Sequence, residues 1–267
     1  MLHIRPVDAF AAVRSGFFRV RDLITPRLCG ACLAPMGHRG NALCCECWAD
    51  LATRISGPYC RRCGEEPGPH LLIDDCCTAC RDGRGGQVRF HRLIRVGRYD
   101  GVLRTLILRF KRAYVLDDLL GGLLGQAIVS GLAAERVDVW TPVPSHWRRR
   151  MERRFQPTAL LADRALRALG KHPVALLTMK RYVSEFHAQP HMSFARRAAA
   201  IEGAFSMAKG VSVKGKTIGI IEDVMTTGAT LAEAARTLRR AGASRAVVAV
   251  LAKSNRFAAP VATQGAG

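Results

Sequence analysis

Cysteine is absent from the last two-thirds of this sequence, although the 267-residue chain contains ten cysteines, all between Cys29 and Cys80. Long charge-free apolar segments are also missing. Arg5, Asp8 and Arg14 interrupt the N-terminal stretch, and no apolar run reaches the about 18 residues of a membrane-spanning helix. These absences argue against a signal peptide, a transmembrane helix and a secreted disulfide scaffold. We expect a cytoplasmic protein whose cysteines bind metal.

Acidic residues are scarce as well. The chain has 21 of them against 41 lysines and arginines, which leaves a net charge of +20. Such a charge favours polyanions, meaning nucleic acid, phosphorylated small molecules or an anionic membrane surface, and does not choose among them. Apolar residues make up 49% of the chain, enough for a core, and its length predicts one or two domains.

The cysteines form four C-x-x-C pairs. They are Cys29/Cys32, Cys44/Cys47, Cys60/Cys63 and Cys77/Cys80. Two such pairs supply the four thiolates of one tetrahedral zinc site and leave no position open for a substrate, so the pattern predicts one or two structural zinc ions. The simplest pairing is sequential, the first pair with the second and the third with the fourth, but interleaved pairing stays open. Cys45 and Cys76 are spare members of Cys-Cys dipeptides.

Strand-like and helix-like segments alternate after a Gly/Arg-rich linker at residues 81–87. Strands are predicted near residues 88–96, 137–140, 174–179, 217–221 and 246–252. Helices are predicted at 157–170, at 229–241, and where Leu103, Leu106, Ile107 and Phe110 share one face. This order predicts an α/β fold with a parallel sheet flanked by helices. We expect an N-terminal extension (1–24), a cysteine-rich module (25–84), the α/β domain (88–255) and a flexible tail (256–267).

The segment IGIIEDVMTTGATL, residues 218–231, combines an apolar strand, two carboxylates, a Thr/Gly loop and a helix start. Gly228 permits close backbone approach, and the free N–H groups of a helix N-terminus bind phosphate. Glu222 and Asp223 can accept two neighbouring hydroxyls, so the predicted ligand is a ribose 5-phosphate. The alternative is a strand end whose acidic residues cap the helix, with Gly228 in a plain turn.

This segment resembles the signature of type I phosphoribosyltransferases. The resemblance implies that Glu222 and Asp223, as catalytic residues, hold the ribose hydroxyls of phosphoribosyl pyrophosphate, and that Mg²⁺ bridges its pyrophosphate and ribose oxygens. It also implies a phosphate loop formed by Thr226, Thr227, Gly228, Ala229 and Thr230.

Further motifs resemble the ComF family over nearly the whole chain. They are Tyr99-Asp100-Gly101, Thr141-Pro142-Val143-Pro144 and Gly203-Ala204-Phe205, together with the cysteine pairs, which match the family's double zinc ribbon. The resemblance implies a role in natural competence, the uptake of single-stranded DNA. It also implies a pyrophosphate loop at Val143, Pro144, Ser145, His146 and Arg150. Where the family usually has Arg-Gly-Phe-Asn-Gln, this chain has RRFQP at residues 153–157.

Three functions therefore compete. The first is a phosphoribosyltransferase that displaces pyrophosphate. The second is a DNA-handling protein that keeps the pocket and binds a single strand through aromatic and basic side chains; the candidates are Trp147, Arg148, Arg149, Arg150, Arg153, Arg154 and Phe155. The third is a zinc-ribbon adaptor that docks a competence helicase. Lys180, Arg181 and His187 could close over pyrophosphate, although His187 and His191 also fit a polar loop. Lys111 and Arg112 end a helix, where the dipole alone favours cations. The sequence does not indicate the acceptor or the oligomeric state.

Overall fold

The computed structural model describes residues 27–36, 42–55, 57–67, 72–83, 90–113, 115–132, 135–145, 156–180 and 194–254. It divides the chain into two compact units, Met1–Asp50 and Leu51–Gly267. The boundary falls between the second and the third cysteine pair, so the two halves of the cysteine-rich segment belong to different units. The boundaries expected at residues 84 and 88 remain a prediction.

Short elements build the first unit around its cysteines. Strand β1 (Arg27–Leu28) pairs antiparallel with β2 (Pro35–Met36), and helix α1 (Cys45–Ile55) begins in this unit. Cys29, Leu43 and Cys47 are buried. So few apolar side chains supply little free energy of folding, which is why a structural metal is needed in modules of this size.

The second cysteine segment, residues 57–83, repeats this pattern of a short strand pair followed by a helix. Strand β3 (Leu72–Ile73) pairs antiparallel with β4 (Cys76–Cys77), and the single turn of helix α2 (Thr78–Arg81) follows. Four buried cysteines form its core, with Leu72 packed against them.

The main sheet confirms the predicted α/β architecture. Its strands are β5 (Arg92–Arg98), β6 (Val139–Pro142), β9 (Thr217–Met225) and β10 (Arg245–Lys253). They lie in the order β5-β10-β9-β6 and are all parallel. Strand β9 is central and pairs with β10 and β6, so its carboxyl end lies in the middle of the sheet edge, where open α/β sheets bind ligands.

Five helices of the described residues accompany this sheet. They are α3 (Gly101–Phe110), α4 (Asp117–Leu132), α5 (Pro157–Leu166), α6 (Phe194–Ile201) and α7 (Ala229–Arg240), and a 3₁₀ turn (Arg167–Leu169) follows α5. The predicted face of α3 is buried at all four of its apolar positions. The apolar face of α7 packs in one cluster with Ile218, Ile220 and Val248 of the sheet.

Helix α4 was not predicted from the sequence. It contains several glycines, which are poor helix formers, and its apolar residues do not form a clear stripe. Tertiary packing explains it, because a Cβ at Gly121 would lie 2.2 Å from Cβ of Arg164 in α5. The two helices therefore touch where glycine leaves room.

A two-stranded antiparallel ribbon lies outside the main sheet. Strand β7 (Leu177–Met179) pairs with β8 (Phe205–Met207). The sequence predicts a strand at residues 174–179, and the structure assigns its last three residues to this ribbon. Leu177 and Phe205 contribute to the same apolar cluster as α7.

Candidate functional site

The acidic pair lies near the carboxyl end of the central strand. Strand β9 continues to Met225, beyond the predicted end at residue 221, so Glu222 and Asp223 belong to the strand itself. Glu222 pairs in register with Val250 of β10. Asp223 is 8% exposed, which makes it one of the few buried charged residues of the described chain.

The loop after β9 leads directly into helix α7, as the predicted phosphate-binding turn requires. Gly228 precedes α7 with φ 81°, a left-handed conformation that favours glycine. The amide of Ala229 donates to Oγ1 of Thr227 at 3.4 Å, and the side chain of Thr226 is exposed. The first turn of α7 thus begins directly after the loop, where a helix presents N–H groups and the positive end of its dipole.

Lys111 is a site residue that the sequence analysis missed. Its Nζ lies 2.9 Å from Oδ1 of Asp223. Burial disfavours its charge, but the carboxylate of Asp223 outweighs this and raises the pKa of Lys111 above its usual value. A signal was present, because Lys111 lies four residues after buried Ile107 and so continues the inward face of α3.

Glu222 carries the most perturbed carboxyl of the site. Desolvation, and then the neighbouring charge of Asp223, raise its pKa to about 8, against the opposing effects of Lys111, the Asp223 amide and the Thr158 hydroxyl. One ammonium near two carboxylates does not neutralise both. The pair therefore holds a proton at neutral pH, and perturbed groups of this kind are concentrated at functional sites.

The predicted pyrophosphate loop begins beside the acidic pair. Its first residue, Val143, follows β6 and donates its amide to the carbonyl of Ile221 at 2.9 Å. Pro144 and Ser145 are partly exposed. His146 and Arg150 lie outside the described residues, as do the other residues proposed as DNA contacts at 147–155.

The basic and histidine candidates near residue 180 are described only in part. Lys180 is exposed and donates its amide to the carbonyl of Ala204 at 2.8 Å. Arg181, His187 and His191 lie outside the described residues, and their closure over pyrophosphate stays a prediction.

The eight cysteines of the C-x-x-C pairs form two sequential tetrads. The first consists of Cys29, Cys32, Cys44 and Cys47, the second of Cys60, Cys63, Cys77 and Cys80, and within each tetrad the Sγ atoms lie within 4.8 Å of one another. Interleaved pairing, left open by the sequence, is not what the structure has. Sγ–Sγ distances of 3.7 Å in the first tetrad and 3.8 Å in the second match the about 3.8 Å edge of a tetrahedron with Zn–S bonds of about 2.3 Å.

Backbone amides support the thiolates of the first tetrad. The amides of Ala31 and Cys44 donate to Sγ of Cys29 at 3.4 and 3.3 Å, and that of Ala34 donates to Sγ of Cys32 at 3.5 Å. Burial opposes ionisation of Cys29, yet the amides of Cys44, Cys32 and Ala31 lower its pKa to about 6. In the second tetrad, the hydrogen bond from Cys63 lowers the pKa of Cys60 to about 4. Both tetrads fit structural Zn²⁺, the ion that tetrahedral thiolate sites prefer.

No helix among the described residues is long and apolar enough to span a membrane.

Comparison with known proteins finds matches for both the cysteine-rich segment and the α/β domain. The double zinc ribbon domain family matches residues 20–82, and the phosphoribosyl transferase domain family matches residues 160–263. Competence protein F of Haemophilus influenzae is 26% identical over 232 residues, 85% of this chain and 96% of that protein. DNA utilization protein YhgH of Escherichia coli K12 is 30% identical over 243 residues, 87% of this chain and 99% of that protein. The chain belongs to the ComF family.

For this ComF chain, the resemblance inferred from its motifs is confirmed, including the zinc ribbon ahead of a phosphoribosyltransferase-type domain. Among solved structures, glutamine phosphoribosylpyrophosphate amidotransferase of Bacillus subtilis is 25% identical and covers 56% of this chain and 28% of that enzyme. Its TM-score of 0.34 is too low to bear on the fold.

Proposed function

We propose that the carboxyl edge of the sheet binds phosphoribosyl pyrophosphate together with Mg²⁺. The observation that carries this proposal is the acidic pair beside the phosphate loop. Asp223 forms an ion pair with Lys111, whose charge also acts on Glu222, and the loop with Gly228 begins three residues further on. A ligand with two hydroxyls next to a phosphate satisfies both halves of this arrangement.

Each part of the ligand then has its partner. Glu222 and Asp223 accept the ribose hydroxyls, and the segment from Thr226 to Thr230 holds the 5-phosphate through amides and hydroxyls. The segment from Val143 to Ser145 lies next to β9 and is the site for pyrophosphate. Lys111 keeps a positive charge close to the leaving group's oxygens. When bound, Mg²⁺ neutralises pyrophosphate, and carboxylates are the oxygen ligands that it accepts.

Calorimetric titration of phosphoribosyl pyrophosphate with Mg²⁺ into wild-type protein and into Asp223→Ala tests the proposal. We expect binding by the wild type and a loss of about 100-fold for the variant, because charge-assisted hydrogen bonds to the ribose disappear. Asp138→Ala is a matched control, since Asp138 is exposed and lies at the amino end of β6, whereas the proposed site lies at the carboxyl ends of the strands. Equal affinity of wild type and Asp223→Ala would refute the assignment.

Transfer is tested separately by pyrophosphate release in the presence of amine or nucleobase acceptors. Release that depends on both acceptor and Mg²⁺ assigns a phosphoribosyltransferase reaction. Tight binding with no release for any acceptor assigns a binding protein that retains the pocket.

The names of the relatives, competence protein F and DNA utilization protein, favour a role in DNA uptake for this chain too. A specific surface supports direct DNA binding as a second candidate function. We define the basic edge as five exposed cations at the amino ends of β9 and β10; they are Lys214, Lys216, Arg239, Arg240 and Arg245.

Backbone contacts bring these cations together. The amide of Gly215 donates to the carbonyl of Gly242 at 2.9 Å, and the amide of Ser244 donates to the carbonyl of Lys216 at 2.9 Å. Asp138 lies beside them, with Oδ2 accepting the amide of Thr217 at 2.8 Å. Strand β9 spans eight residue steps, about 26 Å, from Thr217 beside the basic edge to Met225 just beyond the acidic pair. The two surfaces therefore lie at opposite ends of the strand and can act independently.

Anisotropy of a labelled single-stranded oligonucleotide, measured against salt concentration, tests this second function. Phosphate contacts release counterions, so we expect affinity to fall steeply with salt. Arg245→Glu should weaken binding and reduce the salt slope by about one or two. Arg104→Glu, an equal charge change at an exposed side chain of α3, should not. Identical slopes for both variants would exclude the basic edge.

A further inference from the structure

The open edge of the sheet at β5 is covered by the second cysteine segment. Strand β5 pairs with β10 on one side. On its other side, the amide of Leu93 donates to the carbonyl of Arg61 at 2.6 Å, and the amide of Arg95 donates to the hydroxyl of Tyr59 at 3.0 Å. An uncovered edge strand leaves backbone groups unpaired, so this segment completes the sheet.

Two buried cations of the sheet have their carboxylate partners in the same segment. The side chain of Lys253, the last residue of β10, is 4% exposed, and its Nζ lies 2.9 Å from Oε1 of Glu65. The side chain of Arg95 is 2% exposed and pairs with the adjacent Glu66. An unpaired buried charge is strongly destabilising, so the sheet depends on these two glutamates.

The position of the glutamates is set by the turn that presents the thiolates. Gly64 has φ 77°, and its amide donates to the carbonyl of Cys60 at 2.8 Å. A Cβ at Gly64 would lie 2.7 Å from Cδ2 of Leu93 and 3.6 Å from Cδ of Lys253. The backbone of the turn is therefore pressed directly against the sheet, and Glu65 follows at once.

One route leads from Glu65 to the phosphate loop. Lys253 pairs in register with Met225, and the next amide, that of Ser254, donates to the carbonyl of Met225 at 2.9 Å. Met225 is the residue before the loop begins at Thr226. The end of β10 that Glu65 anchors thus holds the residue from which the loop starts.

A second route leads from Glu66 to Lys111. Oε2 of Glu66 lies 3.5 Å from Nη1 of Arg98. Nε of Arg98 lies 3.5 Å from Oδ2 of Asp100, the residue that precedes α3. The other end of α3 delivers Lys111 to Asp223. Both routes end at the acidic pair and its loop.

We infer that Glu65 and Glu66 are positioning residues of the phosphoribosyl site, and that Zn²⁺ in the second cysteine tetrad therefore regulates ligand binding at that site. This inference rests on the proposed function. Coupling between two sites is reciprocal, so the phosphoribosyl ligand must in turn slow the loss of zinc from the second tetrad. The first tetrad belongs to the other compact unit, and the inference does not extend to it.

Glu65→Ala, measured in the full chain with both tetrads loaded with zinc, tests the coupling. We expect phosphoribosyl pyrophosphate affinity to fall about tenfold while the zinc content stays unchanged. Adding Lys253→Met removes the unpaired buried charge but does not replace the lost anchor of β10, so the affinity should stay low; full restoration would reduce Glu65 to a charge partner of Lys253 and contradict its positioning role. Glu202→Ala is the matched control, since the side chain of Glu202 is 69% exposed. Wild-type affinity for Glu65→Ala would overturn the inference.

A measurement without ligand separates this inference from the proposed function. Hydrogen exchange of the Tyr99 and Ser254 amides reports on the end of β10, because Tyr99 donates to the carbonyl of Lys253. We expect Cys80→Ser in the second tetrad to accelerate both amides at least about tenfold, and Cys32→Ser in the first to leave them unchanged. Equal exchange in the two variants would overturn the coupling, whether or not the wild type binds phosphoribosyl pyrophosphate.

Discussion

Among the adjacent carboxylate pairs of the larger compact unit, Glu65-Glu66 and Glu222-Asp223 are neutralised to different extents. Glu65 and Glu66 each contact a buried cation, Lys253 and Arg95 respectively. At the second pair, Lys111 bonds to Asp223 and is shared electrostatically with Glu222.

We propose that this difference separates a structural pair from a ligand-binding pair. Carboxylates matched by cations of the fold need no further partner and hold two pieces of chain together. Carboxylates short of positive charge retain a proton, as Glu222 does with its pKa raised to about 8, and are stabilised by incoming hydroxyls or a metal ion. The pair beside the phosphate loop is the second kind.

The largest effect is expected at the structural pair. Glu66→Ala leaves Arg95 buried without its carboxylate, and we expect the free energy of unfolding to fall by about 3 kcal/mol. Urea denaturation measures this loss. Glu202→Ala, at an exposed ion pair, should change it by less than about 0.5 kcal/mol, and similar losses for the two variants would remove the contrast between them.

The ligand-binding pair should reveal itself through pH. Because the folded state holds the Glu222 proton up to about pH 8 and the unfolded state releases it near 4.5, the folded state binds more protons in this window. Stability therefore falls as pH rises from about 4.5 to about 8, by at most about 1.4 kcal/mol per pH unit for this group. Unfolding titrations of Glu222→Gln should lack that part of the slope. A variant with the wild-type slope would contradict the assignment.

The smallest effect concerns the single cation that the second pair shares. Lys111 lowers the pKa of Glu222, so Lys111→Met should move the Glu222 midpoint above its wild-type value near 8. Carbon NMR of the labelled Glu222 carboxyl follows this midpoint. Arg112→Met changes the neighbouring exposed cation and should leave it in place; a midpoint that moves equally in both variants would show that net charge, not contact, decides it.

Much of the fold could be predicted, because local patterns of apolar residues indicate where its helices and strands lie. The buried face of α3 follows from helical spacing, and the parallel strands β9 and β10 follow from apolar runs around α7. Helix α4 was not predicted, because its glycines are poor helix formers and are explained only by its close packing against α5. The assignment of residues 177–179 to a separate ribbon also depends on pairing with β8, which is distant in the chain.

The same division holds for the candidate site. The strand, acidic pair and phosphate loop are contiguous, so their order alone predicts the chemistry. Lys111 lies at the end of α3, far from Asp223 in the sequence, so no local pattern around Asp223 predicts the contact between them. Helix-dipole reasoning explained Lys111 as a plain helix end, which accounts for its place in α3 but not for its contact with Asp223.

By itself, the sequence determined the local pattern of this ComF protein: four thiolate pairs at metal-binding spacing, and a Thr/Gly loop after an acidic pair that predicts phosphate binding. Tertiary structure alone decided which cysteine pairs share a metal and which charges meet, including Glu65 and Lys253 at a separation of 188 residues. The reason is physical. Short-range geometry follows from neighbouring residues, whereas the partner of a buried charge is chosen by packing between segments that are far apart in the chain.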